Sequence, residues 1–427
     1  MTVTLEKILD HIKEYLDVDE HFQDMLEYCL AVPIARRYHH SSLYGLLSAI
    51  SGGGKSEILE KLMVGSKDVI CLSGMTGQAM VSGYRDDEKG DEIKEKLIGQ
   101  IEELEGKPDL TLKQEEELEI LKGRISDPEN ASLFNKLVEG SGKTLIIPDL
   151  TLSFAHSQSK KILADFRIAH DGYYSFHYGN TKVVTFEGHF NAICGCTPQI
   201  DKYTGEVSGM GERWLYLRIP IPTVQRLMEV GKMAAKGGDR KYQTIRKQAK
   251  TLVHRFLDPA TTRFHTPALS DADSEFISRL SVVPALFRQE GENGDKVICI
   301  PSPESTGRVA NSLGALAKGL MAVNRTAKMN SRVEWLLRRT AFSTLPDVRR
   351  KMIVASWEEG NKLEVASVVN LFRSTSALAS RALHDAFTVG LLDKQGKFNY
   401  VLSDLARSLI IDGGMDEVIE WEKKWAR

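Results

Sequence analysis

Apolar residues recur at helical spacing through Leu5, Ile8, Leu9, Ile12 and Leu16, and again through Phe22, Met25, Leu26, Cys29 and Leu30, so two short amphipathic helices open the chain. The period then shifts. Residues 43–49 form a continuous apolar run of strand length, residues 56–63 return to a helical period, and 68–72 read as a second strand. Further buried strands are predicted at 145–147, 192–197 and 215–219. Strands interleaved with helical stretches place the chain in the α/β class.

Two segments interrupt that rhythm. From about 85 to 125 the sequence is dominated by Glu and Lys, with Ile93, Leu97, Ile101 and Leu104 along one apolar side and Leu110, Leu118, Leu121 and Ile125 along another. Gly106, Lys107, Pro108 and Asp109 break the two apart, so an antiparallel helical hairpin inserted into the core is the economical reading. Its charged side reads as solvated, and its narrow apolar stripe suits a protein partner or a sister subunit. The second interruption, 171–186, alternates aromatic and polar residues around Gly179-Asn180, a hairpin signal. His177, Asn180 and Lys182 gather near its tip, which suits contact with a single nucleic-acid strand; a structural hairpin with incidental polarity fits the same residues.

Past residue 222 the pattern is largely helical to about 335, and Arg240, Lys241, Arg246, Lys247 and Lys250 give one basic face that reads either as solvated or as a DNA contact. Residues 338–412 read as a winged helix, with a short helix at 365–369, a second at 376–387, then 389–392 and a wing through 393–398. In a helix-turn-helix reader the second helix faces the major groove, which nominates Ser380, Arg381 and His384 for bases and Lys394 and Lys397 for backbone phosphate. Packing or protein binding is the competing reading of the same unit.

Composition changes this picture little. The 427 residues carry 56 basic and 58 acidic side chains, a formal net charge of -2, so any nucleic-acid surface must be local. Cys29, Cys71, Cys194, Cys196 and Cys299 show no C-x-x-C spacing and read as reduced thiols. No apolar run approaches the roughly 20 residues of a membrane helix, and the amino end lacks a signal-peptide pattern. A cytoplasmic protein without a membrane partner is expected.

The chemistry concentrates in Ala49-Ile50-Ser51-Gly52-Gly53-Gly54-Lys55-Ser56, between a predicted strand and a predicted helix. Gly52, Gly53 and Gly54 free backbone N–H groups to curl around a phosphate, Lys55 supplies positive charge, Ser56 offers a hydroxyl to Mg²⁺, and the helix beginning at Ser56 and Glu57 adds its positive end. An Ala stands where the motif's first Gly usually is. Asp149, at the carboxyl end of the 145–147 strand, is placed to hold Mg²⁺ through a water or to orient an attacking water, and competes with a plain helix-cap reading. Pro148 and Leu150 flank it where two adjacent acids are usual, so Asp165 or Glu187 is a candidate for the missing carboxylate. Arg213 follows a Gly-rich loop at a strand entrance, where its planar fork suits phosphate.

In this order and spacing, Gly54-Lys55-Ser56, the Asp149 strand end, residues 192–197 and Gly211-Glu212-Arg213-Trp214 resemble the AAA+ ATPases of phages and mobile elements, in the branch similar to minichromosome-maintenance helicases. The resemblance implies ATP and Mg²⁺ as cofactors, Lys55 and Ser56 as the phosphate-loop pair, Asp149 as the second acidic motif, Thr197 as first sensor, and Arg213 as an arginine finger for the neighbouring subunit. It implies Arg308 as second sensor, opening a helical lid, and a pore-facing hairpin at Gly179-Asn180. The expected organisation is N-terminal helices at 1–32, a P-loop AAA+ core at 33–221 carrying the 85–125 insertion, a helical lid at 222–337 and a winged-helix domain at 338–427. The expected function is an ATP-driven DNA motor, a helicase or replication initiator working as a homo-oligomeric, hexameric ring with single strand in its pore and duplex at the winged helix. A nucleotide-gated loader that recruits partner proteins and turns over slowly is the alternative.

Overall fold

The computed structural model describes residues 3–72, 99–104, 114, 118, 133–138, 142–151, 159–177, 183–203, 213–236, 240–289, 292–293, 296–297, 304–358, 361–396 and 398–425. In chain order α1 (Leu5–Lys13) and α2 (Glu20–Ala35) lead into β1 (Tyr44–Ser48) and a π-helical turn, Glu57–Leu62. Then come β2 (Val69–Cys71), α3 (Leu133–Val138), β3 (Thr144–Ile147), α4 (Ser159–His170), β4 (Tyr173–His177), β5 (Val183–Glu187), β6 (Asn191–Cys196) and β7 (Trp214–Arg218). The predicted 85–125 insertion lies, apart from a helical turn at 99–104 and residues 114 and 118, outside the described residues.

A five-stranded, wholly parallel sheet in the order β2-β3-β6-β1-β7 organises the molecule. Side chains alternate between the faces of a strand, and here both faces are apolar. Tyr44, Leu46, Leu145, Ile147, Cys194, Trp214 and Tyr216 join one buried cluster with Phe134, Phe166, Phe186 and Phe190, while Leu47, Ile146, Ile193, Leu215 and Leu217 join another. This double burial is why the strands read as continuous apolar runs. β4 and β5 pair antiparallel from Tyr173 opposite Glu187 to His177 opposite Val183. Asn180 and Lys182, at the tip of that predicted hairpin, lie outside the described residues.

The second cluster is the larger, and it crosses the expected boundaries. It joins α1, α2, one sheet face, α6 (Arg240–Leu257), which follows α5 (Val224–Lys236), and α7 (Asp271–Phe287), α8 (Thr306–Val323), α9 (Ser331–Ser343) and α10 (Asp347–Ser356). Helix α2 is buried along nearly its whole length, so the first 32 residues do not pack as a separate unit. Its apolar side lies on the sheet, and its charged residues are paired: Asp24 with Arg339 and Arg332, and Glu27 with Arg332 at 2.8 Å. α8 runs against it in the opposite direction. Asn324 donates to Glu27, and a Cβ at Gly319 would meet the Ala31 carbonyl oxygen at 2.3 Å, so the backbones touch.

Two helices and an antiparallel hairpin stand where the sequence predicts them further on: α11 (Val365–Phe372), α12 (Ser376–Thr388), and β8 (Leu392–Gln395) paired with β9 (Asn399–Leu402). α13 (Asp404–Asp412) and α14 (Asp416–Lys423) follow, and α14 lays Trp421 against His21 and under the Arg339 guanidinium. Among the described residues, no helix is long and apolar enough to cross a membrane.

Candidate nucleotide site

The glycine-rich turn leaves the carboxyl end of β1. Gly52 and Gly54 have φ of +77° and +90°, the left-handed region that glycine alone enters without strain. Gly53 closes the turn with its N–H on the Ile50 carbonyl at 3.1 Å, and Phe22 of α2 packs directly beneath Gly54. The Lys55 ammonium is buried inside the loop, donating to the carbonyl oxygens of Ala49 and, at 2.9 Å, Ile50. Burial lowers its pKa, while the nearby Cys196 thiol and Asp149 carboxylate act the other way. Ser56 heads the π-helix, is exposed, and its hydroxyl caps no backbone group.

The ends of β3 and β6 converge beside this loop. Asp149 accepts a hydrogen bond from the Thr151 N–H at 3.0 Å, a capping role of the kind its competing reading foresaw. The Thr151 hydroxyl accepts from the Thr197 N–H at 2.9 Å and lies 3.4 Å from the Thr197 hydroxyl. Gly195 permits the approach: a Cβ there would stand 2.1 Å from the Pro148 carbonyl oxygen. Lys55, Asp149 and Thr197, some 140 residues apart at the extremes, thus meet at one edge of the sheet. Asp165 and Glu187 do not join them. Asp165 is buried and receives the Tyr174 hydroxyl at 2.9 Å, and Glu187 sits across from Tyr173 on the hairpin, so neither supplies a second acid.

This donor set fits a nucleotide phosphate with its cation. Left-handed glycines aim N–H groups at an anion, and an ammonium resting on carbonyl oxygens can exchange them for phosphate oxygens. Mg²⁺ keeps most of its waters and needs few protein ligands beside the phosphates, which Ser56 and Asp149 could provide. Among the described residues, no group of three or more His, Cys, Asp or Glu side chains gathers as a separate metal site.

No motif or spacing marks Arg218, at the same edge beside Ser48. It is buried, pairs bidentately with Asp201 at 2.7 Å and donates to the Ser343 carbonyl at 2.8 Å. Although burial works the other way, Asp201 holds the guanidinium protonated beyond its ordinary range. The carboxylate of Glu57, expected to help hold nucleotide, is bound to Tyr15 and Arg246.

Arg213 and Arg308 lie elsewhere. Arg213 opens β7 at the amino edge of the sheet, the opposite end from the loop, because β7 runs parallel to β1. It is buried against Asp171, at 3.1 Å. The His170 hydrogen bond and then Arg213 hold the Asp171 carboxyl far below the usual range, and burial lowers the pKa of His170. Arg308 is in the first turn of α8, which is antiparallel to α2. At about 1.5 Å per residue it lies roughly 16 Å beyond Gly319, on the side away from Phe22 and the loop. There it pairs with the buried Glu304 at 2.9 Å, which Arg288 also holds. Within one protomer, then, neither arginine faces Lys55.

On α12 both Arg381 and His384 are exposed, as is Lys394 on β8, whose ammonium lies 5.9 Å from the Tyr400 ring centre. Lys397 lies outside the described residues, and of His177 the strand register alone is described. Leu378 and Phe398 are also exposed there, mixing apolar with basic surface. The four described cysteines are free, and burial pushes the Cys196 thiol up to about 12. No protein-family model matches the chain, and no curated protein matches it in sequence.

Proposed function

We propose that the chain is an AAA+ type ATPase that binds ATP with Mg²⁺ at the glycine-rich loop and uses it to act on DNA as an oligomer. The observation that carries this reading is the meeting of Lys55, Asp149 and Thr197 around one loop at the carboxyl edge of a parallel sheet, where α/β folds bind ligands. In it, Lys55 and the loop N–H groups hold the β- and γ-phosphates, Ser56 and Asp149 hold the cation, and Thr197 polarises or positions the attacking water. Electrostatic stabilisation of the transferring phosphoryl group then does most of the catalytic work.

Because Arg213 and Arg308 face away from the loop of their own protomer, either would serve as a transition-state arginine only for a neighbouring copy in a head-to-tail assembly. Arg213 would have to exchange Asp171 for the neighbour's γ-phosphate. The winged-helix reading of α11, α12 and the β8–β9 hairpin supplies a DNA-facing element, with Arg381, His384 and Lys394 as its exposed polar groups.

The alternative, a nucleotide-gated loader with slow turnover, draws support from Asp149, a lone acid already engaged by the Thr151 N–H. ATP turnover with and without single-stranded DNA, with particle mass recorded in ATP, separates the two. A motor is expected to show DNA-stimulated turnover in an ATP-dependent ring, lost in Lys55→Ala and reduced at least tenfold in Arg213→Ala, a loss of roughly 10²–10³ being typical for a transition-state donor. Normal hydrolysis by Lys55→Ala would end the mechanism. Slow turnover indifferent to DNA would favour the loader.

A further inference from the structure

Helix α6 lies along the π-helix that follows the phosphate loop and grips it at both ends. At the first turn, Arg246 donates from Nε to Glu57 at 2.8 Å, and the hydroxyl of Tyr15, in the turn after α1, donates to the same carboxylate oxygen at 2.9 Å. The Arg246 guanidinium lies 5.5 Å from the Tyr15 ring centre, so three elements close on one another. Eight residues along α6, the His254 ring bonds the Val64 carbonyl at 3.1 Å, just past the other end of the π-helix, and covers Gly65.

Glu57 directly follows Ser56, so its carboxylate sits at the helix end that would receive phosphate. That end favours negative charge, and a carboxylate left free there would compete with the phosphates for it and repel them. Arg246 and Tyr15 draw the charge aside and neutralise it. The loop helix is π-wound, with the Met63 N–H on the Ile58 carbonyl, a winding that is rare and that neighbouring contacts have to sustain.

We infer that Arg246 and Tyr15, acting through Glu57, are positioning residues for the phosphate loop, and that α6 is the splint through which the helical region after the sheet sets nucleotide affinity. This rests on the nucleotide reading of the loop. It also removes Arg246 from the basic DNA-facing surface that the sequence suggests and leaves Glu57 without direct contact to nucleotide.

The test is a charge cycle on the full chain with two readouts, Mg-ATP affinity and amide exchange of residues 57–63 without nucleotide. Arg246→Ala should weaken ATP binding about tenfold, the scale of a lost hydrogen bond to a charged group, with a larger change in KM than in kcat, and should speed exchange. Arg246→Lys should recover most of the affinity. Adding Glu57→Gln to Arg246→Ala should recover part of it, because the uncompensated charge is gone. A merely structural role would lower the melting temperature and leave the affinity of the folded fraction, and its rescue by Glu57→Gln, unmoved. Wild-type affinity and wild-type exchange in Arg246→Ala would overturn the proposal. Wild-type protein that binds no ATP would overturn the nucleotide reading instead, and the exchange experiment would still decide whether the grip exists.

Discussion

A methyl group on residue 195 would meet the Pro148 carbonyl oxygen at 2.1 Å, well inside contact distance, and the obstacle is backbone that cannot rotate away. Gly195→Ala must therefore separate β6 from the end of β3, moving Asp149 away from Thr197. We expect a loss of about 1–3 kcal/mol, the usual range for overpacking, together with weakened ATP binding; a urea melt and a binding titration on the same sample check both. An unchanged midpoint would show that the two strands part without cost. At this scale the sequence was legible where chemistry is local. Gly54-Lys55-Ser56 and Asp149 announce themselves by spacing, and the fold brings the Asp149 carboxylate near Lys55. Partners distant in sequence carry no such signature: Arg246 reaches Glu57 across 189 residues, and Arg218 finds Asp201 through a fold that places β7 and β6 on either side of β1. The surroundings of Asp165 and Glu187 are illegible for the same reason, being set by the hairpin and α4 and not by their neighbours in the chain.

Among elements, the strands were the most readable, because a sheet buried on both faces leaves unbroken apolar runs. The helices at the amino end were readable as helices but not by their surroundings. Periodicity gives one apolar side, whereas α2 is enclosed by the sheet, α8 and α9, with Asp24 and Glu27 made tolerable inside by Arg332 and Arg339. The π-winding after the loop had no sequence signal at all. Contact between α2 and α8 depends on Gly319, whose missing side chain lets the Ala31 carbonyl approach. Gly319→Leu should push the helices apart and cost about 3 kcal/mol or more, overpacking at a rigid backbone being at the costly end of its range. Thermal unfolding of the folded variant reports this, and a shift of under a degree would mean the pair can slide to absorb the side chain.

At the level of the whole molecule, one hydrophobic cluster takes in side chains from Val3 to Ile419 and so runs across the divisions expected from the resemblance. Elements are legible locally, whereas which apolar faces meet is decided between residues hundreds of positions apart and leaves no local pattern. The enclosure of α2 has a consequence for how the protein is made. Gly319 follows Ala31 by 288 residues, and synthesis at about 5–20 residues per second leaves α2 without its cover for roughly 15–60 s. During that time an apolar helix stands beside a growing sheet, open to chaperones and to other nascent chains. Ribosome-bound chains stalled near residue 300 should therefore be cut by protease within α2, and chains stalled well past 323 should resist. Equal protection at both lengths would mean that something else shelters the helix until its partner arrives.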